Sequence, residues 1–143
     1  MSRPEITPEL AAKILPGSFP GDLGIELVAI SDAEVHGRLA VDRRHLHPGG
    51  YVHGGVWVAF GDTVAAWGTF RHVREGQDFT TAELKANVFA AGRDGDVLTA
   101  LGIPLHVGRR THTWEVKVHN GDRLAALFVC TQIVLEHAPF PGG

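Results

Sequence analysis

Residues 53–72, with the sequence HGGVWVAFGDTVAAWGTFRH, are predicted to form the one long helix of this chain, and this helix has no polar face. One stripe at helical spacing is large and apolar, whereas the opposite side is small and carries Asp62, the only acidic residue of the segment. A helix without a polar face is covered on both sides. Since a sheet can cover only one side, we predict that a second copy of the chain covers the other. The large stripe consists of Val56, Phe60, Val64 and Trp67, and the opposite side of Val58, Gly61, Asp62, Ala65 and Thr69.

The other regular segments alternate apolar and non-apolar residues with a period of two, which is typical of β-strands. Two of them precede the long helix and are joined by a polar turn, which predicts a hairpin. The last segment is apolar on both parities, so we expect it to be buried on both faces of a sheet. This order predicts an α+β fold in which strands flank one helix. The predicted strands are residues 23–27, 35–41, 82–88, 97–107, 114–118 and 124–135.

The length and composition of the chain indicate one folded domain. It has 143 residues, of which 44% are hydrophobic and 20% charged, which is ordinary for a single packed core. We expect the domain to span residues 23–135. An extension over residues 1–22 precedes it and holds a short, peripheral helix at 7–15 that Thr7 caps. A Pro- and Gly-rich tail over residues 136–143 is expected to be poorly ordered.

The charge, the hydropathy and the cysteine content bear on the partners and the location of the protein. Thirteen basic and sixteen acidic residues give a net charge of -3 without any basic cluster, so nucleic acid is not an expected partner. The weakly polar run at 54–70 is short, Gly-rich and interrupted by Asp62, so no membrane span is expected. The single Cys130 cannot form an internal disulfide, and the first residues lack the apolar stretch of a signal peptide. We therefore expect a cytoplasmic protein.

Asp62 is the residue of the long helix that most suggests chemistry. Beside a subunit interface, a carboxylate has to find hydrogen bonds or lose its charge, and either state suits catalysis. The alternative is a structural Asp satisfied by a neighbouring amide or hydroxyl. His53 lies nine residues earlier, which on one helix is about 13.5 Å of rise and about 180° of rotation. If the two residues share a site, each must therefore come from a different subunit.

The loop before the helix, HLHPGGYVHGG at residues 45–55, combines histidines with glycines. The first amides of a helix lack intrahelical partners and attract negative charge that develops on an oxygen. Gly54 and Gly55 have no side chain, so a carbonyl group such as that of a thioester could approach these amides closely. The alternative is that the glycines only shape a tight turn and that His53 only caps the helix.

The motif HxHPGGYVHGGV, with DTVA beginning at Asp62, resembles the hotdog-fold acyl-CoA thioesterases, particularly PaaI and its aryl-CoA relatives. The family signature has an Asp or Glu nine residues after the HGG histidine, as here. The resemblance covers residues 23–135 and implies a hotdog fold, in which an antiparallel sheet wraps around one long helix. It also implies a homodimer, or a homotetramer built as a dimer of dimers, that hydrolyses an acyl-CoA to a free acid and CoA without a metal or redox cofactor.

The resemblance also implies roles for individual residues. Asp62 is the catalytic carboxylate, the Gly54 amide donates to the thioester oxygen with Gly55 beside it, and His53 orients the site. Relatives commonly have Asn or Gln at the position of His47, where the amide holds the carbonyl or the water. An imidazole could do this only in a suitable tautomer.

Two further regions are assigned by the same resemblance. Relatives often have a hydroxyl residue one turn after the catalytic carboxylate, where this chain has Ala66, so Thr63 or Thr69 would have to replace it. The turn with Gly108, Arg109 and Arg110 resembles the region that receives the pantetheine arm and the phosphates of CoA, and paired guanidiniums suit phosphate. The alternative for this turn is a solvated basic loop.

Three other functions compete with hydrolysis. His45, His47 and His53 could suggest a metal site, but no acidic or Cys partner has a recognisable spacing, so no metal is expected. A hotdog dehydratase would pair His47 with Asp62 to move protons. A non-catalytic acyl-CoA-binding protein would keep Asp62 as a structural residue. An aryl or arylacetyl substrate is preferred, and whether Asp62 acts as general base or as nucleophile stays open.

Overall fold

The computed structural model describes residues 4–136, which form one antiparallel sheet of six strands around one long helix. The strand order is β1-β2-β4-β5-β6-β3, and the long helix, α3, contacts all six strands. This is the predicted α+β hotdog fold. The helices are α1, Pro8–Ile14; α2, Phe19–Asp22; and α3, Gly54–His72. The strands are β1, Ile25–Ile30; β2, Val35–Ala40; β3, Gln77–Val88; β4, Val97–Val107; β5, Thr111–Asn120; and β6, Arg123–Glu136.

The predicted hairpin and helices are confirmed. β1 and β2 pair antiparallel, with Ile25 opposite Leu39. α3 begins at Gly54, with His53 as its N-cap. The side chain of Thr7 accepts a hydrogen bond from the amide of Leu10 and so caps α1. The short helix α2 was not predicted, and a 3₁₀ turn at Arg43–His45 precedes the loop that leads to α3.

The large stripe of α3 is buried as predicted, but the prediction for its opposite side is partly wrong. A Cβ added at Gly61 would lie 2.6 Å from the ring of Phe128, and one at Gly68 would lie 2.4 Å from the ring of Trp114. The small residues therefore let the helix lie close to two large aromatic side chains of the sheet. The residues of the side predicted to face a second chain that instead face the sheet are Gly61, Ala65 and Thr69.

The prediction that β6 is buried on both faces is wrong for the single chain. Phe128, Cys130 and Gln132 are wholly buried, and they alternate with residues on the other face. On that outer face Val129 is 37% and Ile133 40% exposed. The reason is that α3, the only long helix within residues 4–136, lies on the inner side of the curved sheet.

The N-terminal extension packs against the sheet. Ala11 of α1 is wholly buried and Ile6 is 2% exposed, and both belong to the main core. No helix within residues 4–136 combines the length and the apolar character needed to cross a bilayer. Glu136 is the last residue of β6, and the rest of the predicted tail, 137–143, lies outside the described residues.

Candidate active site

His45 fixes the loop that leads to α3. Its wholly buried ring accepts a hydrogen bond at Nδ1 from the Asp42 amide at 2.9 Å and donates from Nε2 to the Leu23 carbonyl at 2.6 Å. Its own carbonyl accepts from the amide of His53 at 2.8 Å. Both ring nitrogens are thus used to hold the backbone, so His45 has no lone pair left for a metal or a substrate.

His47 begins a tight turn whose geometry selects one tautomer of its ring. The His47 amide donates to the Tyr51 carbonyl at 2.8 Å, and Gly50 supports the turn with a φ of 88°. The Nδ1 of His47 accepts from the Gly49 amide at 2.9 Å, so the proton of the neutral ring lies on Nε2. Nε2 has no partner among the described residues. His47 can therefore donate a hydrogen bond to a ligand, as a side-chain amide would.

The first turn of α3 leaves one amide without an acceptor. His53 Nδ1 accepts from the Gly55 amide at 2.8 Å, and the His53 carbonyl accepts from the Val56 amide at 2.9 Å. Within residues 4–136, no group accepts from the amide of Gly54, and a Cβ there would meet nothing within 4 Å. This N–H lies at the positive end of the 19-residue helix, so an oxygen that gains negative charge could bind there.

Asp62 is half-buried, and its two oxygens differ. Oδ1 accepts from the Thr81 hydroxyl of β3 at 2.7 Å and from the Cys130 thiol of β6 at 3.6 Å. Oδ2 has no partner in the part of the chain that the structure describes. Burial, and then the charge of Asp62, raise the pKa of Cys130 to about 12, so this group is a thiol that donates. One oxygen of Asp62 is thus anchored and the other is available.

Gln132 lies next to both donors, on the side away from Asp62. None of the three residues, Thr81, Cys130 and Gln132, was predicted from the sequence to belong to the site. Its Nε2 lies 3.4 Å from Thr81 Oγ1 and 3.9 Å from Cys130 Sγ. The signal in the sequence was the alternation in β6, which places Phe128, Cys130 and Gln132 on one face. Thr81 lay just outside the predicted third strand, because β3 begins at Gln77.

The structure does not bring the two halves of the predicted site together within one chain. His53 caps α3, and Asp62 lies in the third turn of the same helix. None of the described contacts joins Asp62 to His47, His53 or Gly54. The separation of His53 and Asp62 is therefore the one expected for two residues on a continuous helix.

The two threonines that could replace the missing hydroxyl are both engaged. Thr63 Oγ1 donates to the Ala59 carbonyl at 2.7 Å, one turn earlier in the helix. Thr69 is wholly buried and accepts from the Trp114 indole at 3.0 Å. Thr69 is therefore unavailable to a substrate because it faces the sheet. Ala66 lies one turn after Asp62 in α3 and is half-buried.

The turn after β4 borders a basic cavity of about 230 Å³ at the C-terminal end of α3. Arg74 and Arg109 line it, and both are exposed. His112 lies at its wall, 3% exposed, with no partner for Nδ1 within residues 4–136. Burial, and then the nearby His72, lower the pKa of His112. Among the predicted residues, Gly108 and Arg109 line this cavity, whereas Arg110 does not.

A family model described as the thioesterase superfamily matches residues 49–126, which is more than half of the chain. The chain belongs to the thioesterase superfamily. This member is similar to 1,4-dihydroxy-2-naphthoyl-CoA hydrolase of Listeria monocytogenes, with 29% identity over 110 residues that cover 76% of this chain and 89% of that protein. The hotdog-fold acyl-CoA thioesterase family and the class of thioester hydrolase, predicted from the loop and Asp62, are thereby confirmed.

Solved structures support the same family. A thioesterase of Haemophilus influenzae superposes with a TM-score of 0.87 and 25% identity, covering 99% of each chain. The PaaI protein of E. coli superposes with a TM-score of 0.79 over 90% of this chain and 92% of that one; at 20% identity, this likeness concerns the fold. The resemblance to the PaaI-like branch is confirmed. No group of three or more metal-binding side chains lies close enough within residues 4–136 to hold a metal in this thioesterase-superfamily member.

Proposed function

We propose that this protein hydrolyses an acyl-CoA thioester to a free acid and CoA, in a site that Asp62 of one subunit and Gly54 of another form together. One observation carries the proposal: Asp62 Oδ2 and the Gly54 amide are both unpartnered among the described residues, and both belong to α3. About 12 Å of helix rise separates these two residues in one chain. Two copies of α3 that meet would supply both groups to one thioester.

The proposed chemistry assigns one task to each group. The Gly54 amide donates to the thioester oxygen and stabilises the negative charge that develops on it. The Nε2–H of His47, near the start of the same helix, is the candidate second donor. Asp62 takes a proton from water as that water attacks, or attacks the carbonyl itself to form an anhydride that water then cleaves. In both routes the C–S bond breaks and CoA leaves as a thiolate, whose sulfur then takes the proton that the water gives up.

The exposed surface supports a homodimer. β3 is twelve residues long and lies at one edge of the sheet, and an edge strand of this length pairs readily with another chain. Next to it, the uncovered part of α3 presents Val58, which is 40% exposed, with Asp62 and Ala66. The outer sheet face, with Val129 and Ile133 exposed, suits a second dimer and hence a tetramer. A cytoplasmic location stays a prediction from the sequence.

The substrate class rests on two observations. The similar Listeria protein is named as a hydrolase of an aromatic acyl-CoA, which favours an aryl or arylacetyl group here. The cavity that Gly108 and Arg109 line is basic, and the exposed Arg110 follows them in the same turn, so this region suits the phosphates of CoA. Three aromatic residues of α3 do not form the acyl pocket, because they are buried in the core. These residues are Trp57, Phe60 and Trp67, which are 2%, 0% and 6% exposed.

A substrate panel with a thiol-trapping dye tests this proposal. Phenylacetyl-, hydroxybenzoyl-, dihydroxynaphthoyl- and medium-chain fatty acyl-CoA are each incubated with the protein, and the release of CoA is followed. We expect release to be fastest from an aromatic thioester. Binding without any release of thiol would favour a non-catalytic acyl-CoA-binding protein. An enoyl-CoA is incubated alongside the panel, and its hydration with the thioester bond intact would favour a dehydratase.

A further inference from the structure

Side chains from the two strands next to Asp62 hold a single oxygen of its carboxylate. Thr81 from β3 and Cys130 from β6 both donate to Oδ1, at 2.7 Å and 3.6 Å. Neither contacts Oδ2, which accepts from no described residue. The carboxylate is therefore anchored through one atom, and its other oxygen stays available to water or to the carbon of a thioester.

The chemistry of the groups fixes the direction of each hydrogen bond. A carboxylate only accepts, so Thr81 and Cys130 each give it their one proton. Whatever faces their oxygen and sulfur from behind must then be a donor. Gln132 Nε2 occupies that position, 3.4 Å from Thr81 Oγ1 and 3.9 Å from Cys130 Sγ. The amide of Gln132 thus directs both protons towards Asp62.

Gln132 is a poor choice for stability alone. It is wholly buried, and its Oε1 accepts no hydrogen bond within residues 4–136. A buried acceptor without a partner destabilises the folded state, and an apolar side chain of similar shape would avoid this cost. Both Nε2 contacts are long, so they offset little of it. The arrangement is more easily understood if Gln132 serves the orientation of Thr81 and Cys130.

We propose that Thr81, Cys130 and Gln132 are positioning residues that hold Asp62 with Oδ2 ready for the reaction. This inference rests on the proposed hydrolysis of acyl-CoA. The three residues touch Asp62 or each other and need not touch the substrate. Their loss should therefore slow turnover while substrate binding stays intact, because the contacts that hold the thioester before reaction do not involve them.

Variants of Thr81 test its hydrogen bond to Asp62 Oδ1. We expect Thr81→Val to lower kcat about tenfold, the effect of losing one well-placed hydrogen bond, with KM within about twofold of the wild type. Thr81→Ser keeps the hydroxyl and should restore most of kcat. Thr113→Val is the matched control: its hydroxyl lies 3.1 Å from that of Thr131, in a pair away from Asp62, so its kcat should equal that of the wild type.

Gln132→Met separates positioning from stability. Methionine has a similar shape without polar N–H or C=O groups, so removing the unpaired oxygen should maintain or raise the melting temperature. The same variant should lower kcat several-fold, because no amide then directs the protons of Thr81 and Cys130 towards Asp62. A purely structural Gln132 would give the opposite pair of results, a lower melting temperature and an unchanged kcat.

The outcomes separate this inference from the function on which it rests. Wild-type kcat in both Thr81→Val and Gln132→Met, in a protein that Asp62→Asn inactivates, would overturn the positioning role and leave the hydrolase standing. A wild type that releases no thiol from any acyl-CoA of the panel would overturn the function and this inference with it. Slow variants with unchanged KM and intact folding would support both.

Discussion

The two oxygens of Asp62 have different surroundings, and this difference makes the residue suited to reaction. Oδ1 accepts from Thr81, whereas Oδ2 has no partner among the described residues. An asparagine at this position would keep an oxygen to accept from Thr81 but could neither take a proton nor attack a carbonyl. We expect Asp62→Asn to lower kcat by about 10²–10⁴-fold, the usual range for losing a general base, with little change in melting temperature.

Asp96 offers a matched control for that substitution. Its carboxylate also accepts from neighbours, the Arg93 amide and the Asn120 side chain, both at Oδ2, but it lies in the turn before β4. Asp96→Asn should leave turnover unchanged. Wild-type turnover in Asp62→Asn, measured by release of CoA, would remove Asp62 from the mechanism and restore the interpretation of a structural carboxylate.

α3 is held close to the sheet by glycines, and this gives a stability prediction. On helix propensity alone, Gly61→Ala should stabilise the protein by about 1 kcal/mol. The added Cβ would instead lie 2.6 Å from the Phe128 ring, so we expect the free energy of unfolding to fall by about 1–3 kcal/mol. Urea denaturation measures it. Gly54→Ala is the control, since a Cβ there meets nothing within 4 Å. A stabilised Gly61→Ala would show that propensity outweighs packing here.

The same helix shows what its sequence could and could not predict. Its length, its N-cap and the burial of its large stripe follow from local spacing, and so does the pairing of β1 with β2. The sequence alone could not predict that Gly61 and Thr69 face the sheet. This depends on which side chains of the sheet lie opposite them in the fold, here Phe128 and Trp114. The anchor of Asp62 was missed for a similar reason: Thr81 and Cys130 meet only through pairing between β3 and β6.

His112 of β5, which lies beside the C-terminal end of α3, makes the stability of the fold depend on pH. Burial, and then His72, lower the pKa of His112 below its ordinary value of 6.5. The unfolded chain therefore binds a proton at this group more readily than the folded chain, so the free energy of unfolding falls as the pH falls through about 6.5. His112→Gln keeps a neutral polar group and should flatten the change in melting temperature between about pH 7 and pH 5. If the melting temperature of this variant fell as steeply with pH as that of the wild type, His112 would not be the source of the pH dependence.

At the scale of the whole molecule, the proposal requires that one subunit completes the site of another. The free edge of β3 and the uncovered part of α3 lie on the same side of the chain as Asp62, which bonds β3 through Thr81. The Gly54 amide belongs to the other end of the helix. A monomer would hold two half-sites and should be inactive.

Subunit mixing tests this requirement directly. Gly54→Pro removes the one N–H in question at the first helical position, where proline is tolerated, and His53 already has the extended conformation that proline prefers in its predecessor, with ψ 141°. Gly54→Pro and Asp62→Asn should each be nearly inactive as homodimers. Mixed one to one and allowed to exchange subunits, half of the dimers contain one of each, and each of these has one intact site.

The mixture should therefore recover about a quarter of the wild-type rate, the fraction expected from random pairing in a twofold-symmetric dimer. If each site were built within one chain, every site in the mixture would carry a defect and no activity would return. Recovery that increases with the time allowed for exchange, measured by release of CoA, would also exclude residual activity of either variant, because the homodimers are present from the start.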